Sequence, residues 1–233
     1  MCLECFKTCP YDNMAFNLRL PGVDLLVDEK AEPRRLDEAW KAFIMIGIAM
    51  VFFLTMQGPW GVLKDMVRGV TTKGYLTFIF IHTTFSLIVV PAVFLIFCYF
   101  SKLLSQAKEV PLKTIFTNFA YTLIPMGLGV WIAFSFGIIL PNGSYLLHII
   151  SDPFAWGWNL FGTAHFPWTP IFTRAMGYLQ GLTLIVFYFF ALDYGYKISR
   201  QTFRQEKQAK LGWIPILVFL TLTNLAFLWL YLG

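Results

Sequence analysis

Three of the four cysteines lie in one short N-terminal segment, and their spacing is typical of metal ligands. Cys2, Cys5 and Cys9 are separated by two and three residues, and Pro10 follows the last of them. Cysteine thiolates are soft ligands that hold iron–sulfur clusters and zinc. Because the only other thiol is Cys98, this grouping favours metal ligation over a disulfide framework.

The cysteine segment resembles the end of the bacterial ferredoxin motif for [4Fe–4S] clusters, C-x2-C-x2-C-x3-C-P. Cys2, Cys5, Cys9 and Pro10 match its last three cysteines and its proline, and the position of its first cysteine falls before Met1. The resemblance implies that Cys2 and Cys5 hold one cluster and that Cys9 reaches another, neither complete within this chain. Two alternatives stay open: zinc with a ligand from elsewhere, or a segment that binds no metal.

A wider resemblance covers residues 2–13, which read CLECFKTCPYDN and precede a linker and membrane helices. These features resemble the polytopic membrane-bound ferredoxin-like proteins. That family includes the membrane [4Fe–4S] partners of periplasmic nitrate reductase, the nitrous-oxide-reductase regulator type and the cytochrome-oxidase accessory type. The resemblance implies electron transfer between the quinone pool and a redox partner. Because such proteins carry further helices and cysteine motifs upstream, we expect this chain to be a C-terminal portion.

The composition predicts a membrane protein. Hydrophobic residues make up 58% of the 233 residues, and charged residues only 13%. Soluble domains carry about 25% charged residues, so a lipid bilayer is the expected surrounding. In such a chain the net charge of +5 reports orientation, and no nucleic-acid partner is expected.

Long uncharged runs predict an all-α polytopic bundle of about five transmembrane helices. Residues 1–38 form the cysteine segment and a polar linker, and residues 39–233 form the bundle. Pro91 is expected to kink the second helix, whose freed carbonyl a neighbouring helix can satisfy. The predicted helices cover about 40–57, 75–101, 115–140, 171–196 and 211–232.

The distribution of lysine and arginine predicts the orientation. With the N-terminus inside, fourteen of the eighteen lie in inner segments, and Lys64, Arg68, Lys73 and Arg174 lie outside. The positive-inside rule therefore predicts a multi-pass protein of a bacterial-type cytoplasmic membrane, with the cysteine segment on the cytoplasmic side.

Residues 141–170 are apolar and rich in aromatic side chains, and we expect this segment to lie at the outer leaflet. With three tryptophans it is typical of an interfacial or re-entrant piece, or of the lid of a pocket for a lipid-soluble quinone. Ionisable groups at membrane depth suggest function, although each histidine could equally bond a neighbouring helix. The candidate quinone-site residues are His82, His148, Asp152, His165 and Arg174.

These patterns predict a membrane-bound iron–sulfur electron-transfer subunit, working with other subunits of a respiratory complex. At most it would be the electron-transfer part of an oxidoreductase, with a [4Fe–4S] cluster and possible quinone binding. The alternative is a non-catalytic membrane anchor or assembly subunit with a vestigial cysteine motif. Cys98 is expected to pack as a small hydrophobe, and Asp193 to pair with Lys197 four residues on.

Overall fold

Every regular element in the described part of the chain is helical. The computed structural model describes residues 25–26, 34–56, 65 and 71–232. The elements are α1 (Leu36–Met56), α2 (Thr72–Thr84), a π-helical turn (Phe85–Val89), α3 (Val90–Ser105), α4 (Leu112–Ala120), α5 (Leu123–Ile139), α6 (Tyr145–Ser151), α7 (Thr173–Thr202) and α8 (Glu206–Leu232).

Four helical stretches are long and apolar enough to cross a membrane: Thr72–Ser105, Leu112–Ile139, Thr173–Thr202 and Glu206–Leu232. Large apolar side chains such as Phe80, Leu182 and Trp229 are exposed on them, as expected where lipid, not water, is the neighbour. The prediction of a helical membrane bundle is confirmed at this level. Helix α1 is not among the four, so the fifth span stays a prediction.

The helices form a closed ring. Helix α1 packs against the π-helical turn and α3 on one side and against α4 and α5 on the other. Helix α8 packs against α3 and α7, and α7 packs against α5, which completes the ring. Neighbours in the ring are therefore not always neighbours in the chain, since α3 lies beside α8.

Aromatic side chains from four of the helices form one buried cluster. The ring of Phe43 lies 5.1 Å from that of Phe94 and 5.2 Å from that of Phe116, and Phe94 lies 5.0 Å from Phe219. All four are buried. Such edge-to-face and offset pairs stabilise beyond the area they bury, so this cluster joins α1, α3, α4 and α8.

Two prolines change the helices just before them. Ahead of Pro91 the helix widens into the π-helical turn, where the amide of Val90 bonds the carbonyl of Phe85. Ahead of Pro125 it breaks at Tyr121 and Thr122, between α4 and α5. A proline removes one helix hydrogen bond and crowds the carbonyl four residues earlier, so both irregularities have a local cause.

Candidate functional site

Three separate parts of the chain meet at one end of the bundle. Asn118 of α4 donates to the Thr202 hydroxyl at the end of α7 (3.0 Å). The loop before α4 reaches the loop after α7 through Arg204 and Glu109, whose charged atoms lie 3.5 Å apart. The linker that precedes α1 joins the same end through Arg34. The linker that follows the cysteine segment in the chain therefore meets the bundle at this end.

Arg34 ties the linker to the bundle. Its Nη2 donates to the Leu25 carbonyl (2.9 Å) and to Gln201 Oε1 at the end of α7 (2.7 Å). Its guanidinium carbon lies 5.8 Å from the centre of the Tyr121 ring, within cation–π range. Burial lowers the pKa of Arg34 from its ordinary value, but guanidinium stays charged at neutral pH.

The hydroxyl of Tyr121 continues the same network. It accepts a hydrogen bond from the backbone N–H of Arg35 (2.9 Å) and donates to the carboxylate of Glu38. Tyr121 lies in the break between α4 and α5, so its hydroxyl joins that break to the first turn of α1. We call Arg34, Glu38, Tyr121 and Gln201 the linker anchor.

The five predicted quinone-site residues are spread over the other end of the bundle. His82 lies in α2, His148 in α6, Asp152 directly after α6, His165 in the following loop, and Arg174 in the first turn of α7. His148, His165 and Arg174 are exposed. Within the described residues no hydrogen bond or ion pair joins any two of the five. A shared pocket formed by them stays a prediction.

Asp152 closes a turn of the aromatic segment. Its two carboxylate oxygens accept the backbone N–H groups of Trp156 (2.9 Å) and Gly157 (2.8 Å). Gly157 has a φ of +82°, which favours glycine. Both oxygens of Asp152 therefore already have partners, and this carboxylate has a structural role in the loop.

The aromatic segment 141–170 folds back on itself. The Ser144 hydroxyl accepts the amide of Thr169 (3.1 Å), and the rings of Tyr145 and Trp168 stack. Trp156 and Phe161 point outward and are more than two-thirds exposed. Exposed aromatics of this kind are typical of headgroup depth, and the outer-leaflet position of the segment remains a prediction.

His82 and Ser86 carry two polar atoms without partners on one face of a helix. Among the described residues His82 Nδ1 and Ser86 Oγ are buried and form no hydrogen bond. Their spacing of four residues places them about one helical turn apart. Ser86 is the second residue of the π-helical turn. Such turns occur often at functional sites.

A cavity of about 300 Å³ opens beside the same π-helical turn, between α1, α3 and α8. Phe85 and Val89 of the turn line it, opposite Ile46 and Met50 of α1. Ser86 packs against Gly47, which lies between those two residues in α1. The two unpartnered atoms and the cavity therefore share one short stretch of helix.

The three candidate metal ligands, Cys2, Cys5 and Cys9, lie outside the described residues. Within the described part, no group of three or more His, Cys, Asp or Glu side chains could hold a metal ion. Cys98 is fully buried in the core of the bundle. It packs as a small hydrophobe, and the surrounding side chains leave it closed to a cluster.

Sequence reasoning missed the linker anchor and Ser86. In the sequence Arg34 is only one of the inner positive charges that predict the orientation. Tyr121 and Gln201 belong to no motif there, because their hydrogen-bond partners are distant in the chain. Ser86 is a single small hydroxyl in an apolar run, where serine commonly bonds its own helix. Only its lack of a partner in the folded chain distinguishes it.

The comparisons with known proteins give no relative. No family model, no curated protein and no solved structure matches this chain. The residues of this chain, and the resemblance of residues 2–13, therefore carry the evidence for its function.

Proposed function

We propose that this chain is a membrane-bound iron–sulfur electron-transfer subunit, which passes electrons between the quinone pool and a redox partner. The observation that carries the proposal is the spacing of Cys2, Cys5 and Cys9 before Pro10, at the head of an apolar helical bundle. By the resemblance to the ferredoxin motif, Cys2 and Cys5 would hold one [4Fe–4S] cluster and Cys9 another, and the remaining ligands of each would come from outside this set. Such a cluster would carry one electron at a time.

The linker anchor supports this proposal because it ties the chain that follows the cysteines to one end of the bundle. Fifteen residues lie between Cys9 and Leu25, whose carbonyl accepts a hydrogen bond from Arg34. The fully extended chain between Cys9 and Leu25 spans at most about 55 Å. The anchor therefore limits how far the cysteines can move from the end of the bundle that carries Gln201 and Tyr121.

In this proposal His82 belongs to the quinone-binding site. Reduction or oxidation of a quinone moves protons as well as electrons, so a site needs a group that accepts or donates a proton. The unpartnered Nδ1 of His82 could bond such a ligand, with the Ser86 hydroxyl one turn away. The positive-inside rule would then place the cysteine segment in the cytoplasm and His82 in the outer half of the membrane.

Iron and acid-labile sulfide in the purified chain, kept in its native complex, test the proposal. Replacing Cys5 by serine should lower both contents, since the serine hydroxyl stays protonated at neutral pH and is a poor substitute for a thiolate ligand. Cys98→Ala is the matched control, because that thiol lies in the core, and it should leave both contents unchanged. Equal iron in the Cys5→Ser variant and the parent would refute cluster binding and favour a membrane anchor. Zinc in place of iron would refute it also.

A further inference from the structure

A groove on the lipid-facing side of the bundle runs along α3 towards the end that carries the linker anchor. Its upper part has a volume of about 660 Å³ and is walled by α1, α3 and α4. A second hollow of about 460 Å³ continues along α3 to the loop before α4. Leu112, the first residue of α4, lines both, so the two are adjacent.

The walls of the groove are apolar over a length that matches one lipid leaflet. Ile88 of the π-helical turn lines the groove first, and Ala92, Leu95 and Tyr99 of α3 follow along the same side. At 1.5 Å per residue, the distance from Ile88 to Tyr99 is about 16 Å. Half of a hydrocarbon core of about 30 Å is nearly the same length. The groove therefore fits an acyl chain of a single leaflet.

Three lysines surround the end of the groove. Lys102 and Lys108 line the lower hollow, and Lys113 lines the upper one beside Leu112. Within the described residues none of the three forms an ion pair, and Glu109, which follows Lys108, pairs with Arg204. Three unpaired cations at the rim of an apolar groove are complementary to a lipid with a negative headgroup.

The start of α4 adds backbone donors at the same place. Helix α4 begins after Pro111 with no side-chain cap. The amides of Thr114 and Ile115 bond the Pro111 carbonyl, whereas those of Leu112 and Lys113 have no partner among the described residues. Free amides at a helix N-terminus favour a phosphate group, and here they adjoin the three lysines.

We propose that this groove is a binding site for one anionic phospholipid. Its acyl chain would lie along α3 between Ile88 and Tyr99, and its phosphate would contact Lys102, Lys108 and Lys113. Trp40 of α1, which lines the opposite wall, would cover the chain from the side. This site is independent of any iron–sulfur function, and His82 lines neither of its two hollows.

The test is the retention of lipid by the full chain, purified from vesicles of equal phosphatidylglycerol and phosphatidylcholine and analysed by native mass spectrometry. The parent should retain phosphatidylglycerol in preference to phosphatidylcholine. The variant Lys102→Gln/Lys108→Gln/Lys113→Gln should lower that preference at least about tenfold, since each lysine near the headgroups contributes a severalfold effect. The matched control is Lys197→Gln/Arg200→Gln/Lys207→Gln, which removes the same charge at the same end.

A second variant tests the apolar part without changing charge. Ala92 is exposed in the groove wall, so Ala92→Phe should fill the groove and lower retention while the chain stays folded and monodisperse. Equal loss in both lysine variants would show a general charge effect and overturn the site. Unchanged retention in Ala92→Phe would overturn the groove as the place of the acyl chain.

Discussion

Arg34 Nη2 lies 2.7 Å from Gln201 Oε1, although the two residues are 167 positions apart in the chain. This hydrogen bond joins the linker that carries the cysteine segment to the far end of α7. The same nitrogen bonds the Leu25 carbonyl. A single side chain thus joins residue 25 to the end of α7.

We expect Arg34→Ala to loosen the linker and to lower the free energy of unfolding by about 1–2 kcal/mol, because charge-assisted hydrogen bonds are lost. Hydrogen exchange at residues 34–38 should accelerate, since the amide of Arg35 depends on the nearby Tyr121 hydroxyl. Arg200→Ala, an exposed arginine at the same end, is the control. Equal exchange in the two variants would show that the anchor does not hold the linker.

A second prediction concerns the contact between α1 and the π-helical turn. A Cβ atom on Gly47 would lie 2.7 Å from the backbone Cα of Ser86. Gly47→Ala should therefore push the two elements apart and cost about 1–3 kcal/mol, which a lower melting temperature in detergent would report.

Gly181→Ala is the control for that experiment. Its new Cβ would lie 3.3 Å from Leu232 Cδ1, the flexible end of a side chain that can move away. We expect little change in melting temperature. A Gly47→Ala protein as stable as the Gly181→Ala protein would contradict the close approach of α1 to Ser86.

A third prediction concerns quinone chemistry. His82→Leu removes the unpartnered ring nitrogen and should depress quinol-linked electron transfer several-fold while the iron content stays intact. Thr83→Val, at the exposed next position, should change neither quantity. Full quinol-linked turnover in the His82→Leu variant would remove His82 from the quinone site.

A fourth prediction concerns the orientation of the bundle. Asn142 follows α5 and Gln205 precedes α8, and both are exposed at opposite ends. In intact cells a membrane-impermeant maleimide should label Asn142→Cys above the background of the parent. Gln205→Cys should react only after permeabilisation. The reverse pattern would place the cysteine segment outside the cell.

The class of the protein could be predicted from the sequence because a bilayer imposes a local rule. A run of about twenty apolar residues must form a helix to satisfy its backbone, so the four long helices follow from composition read along the chain. The ends of the helices were predicted less accurately than their existence. The prediction for 171–196 became Thr173–Thr202, since the polar residues after 196 continue the helix beyond the apolar run.

The candidate sites depended on the tertiary structure. The sequence by itself determined the helical membrane class, the cysteine spacing and the candidacy of His82. Only the folded chain decided that α3 lies beside α8, that Arg34 meets Gln201, and that Ser86 faces Gly47 without a hydrogen bond. The physical reason is that lipid-facing and core-facing surfaces are both apolar in a membrane protein. Hydrophobic periodicity therefore cannot say which faces meet, and packing shape and a few polar contacts decide it.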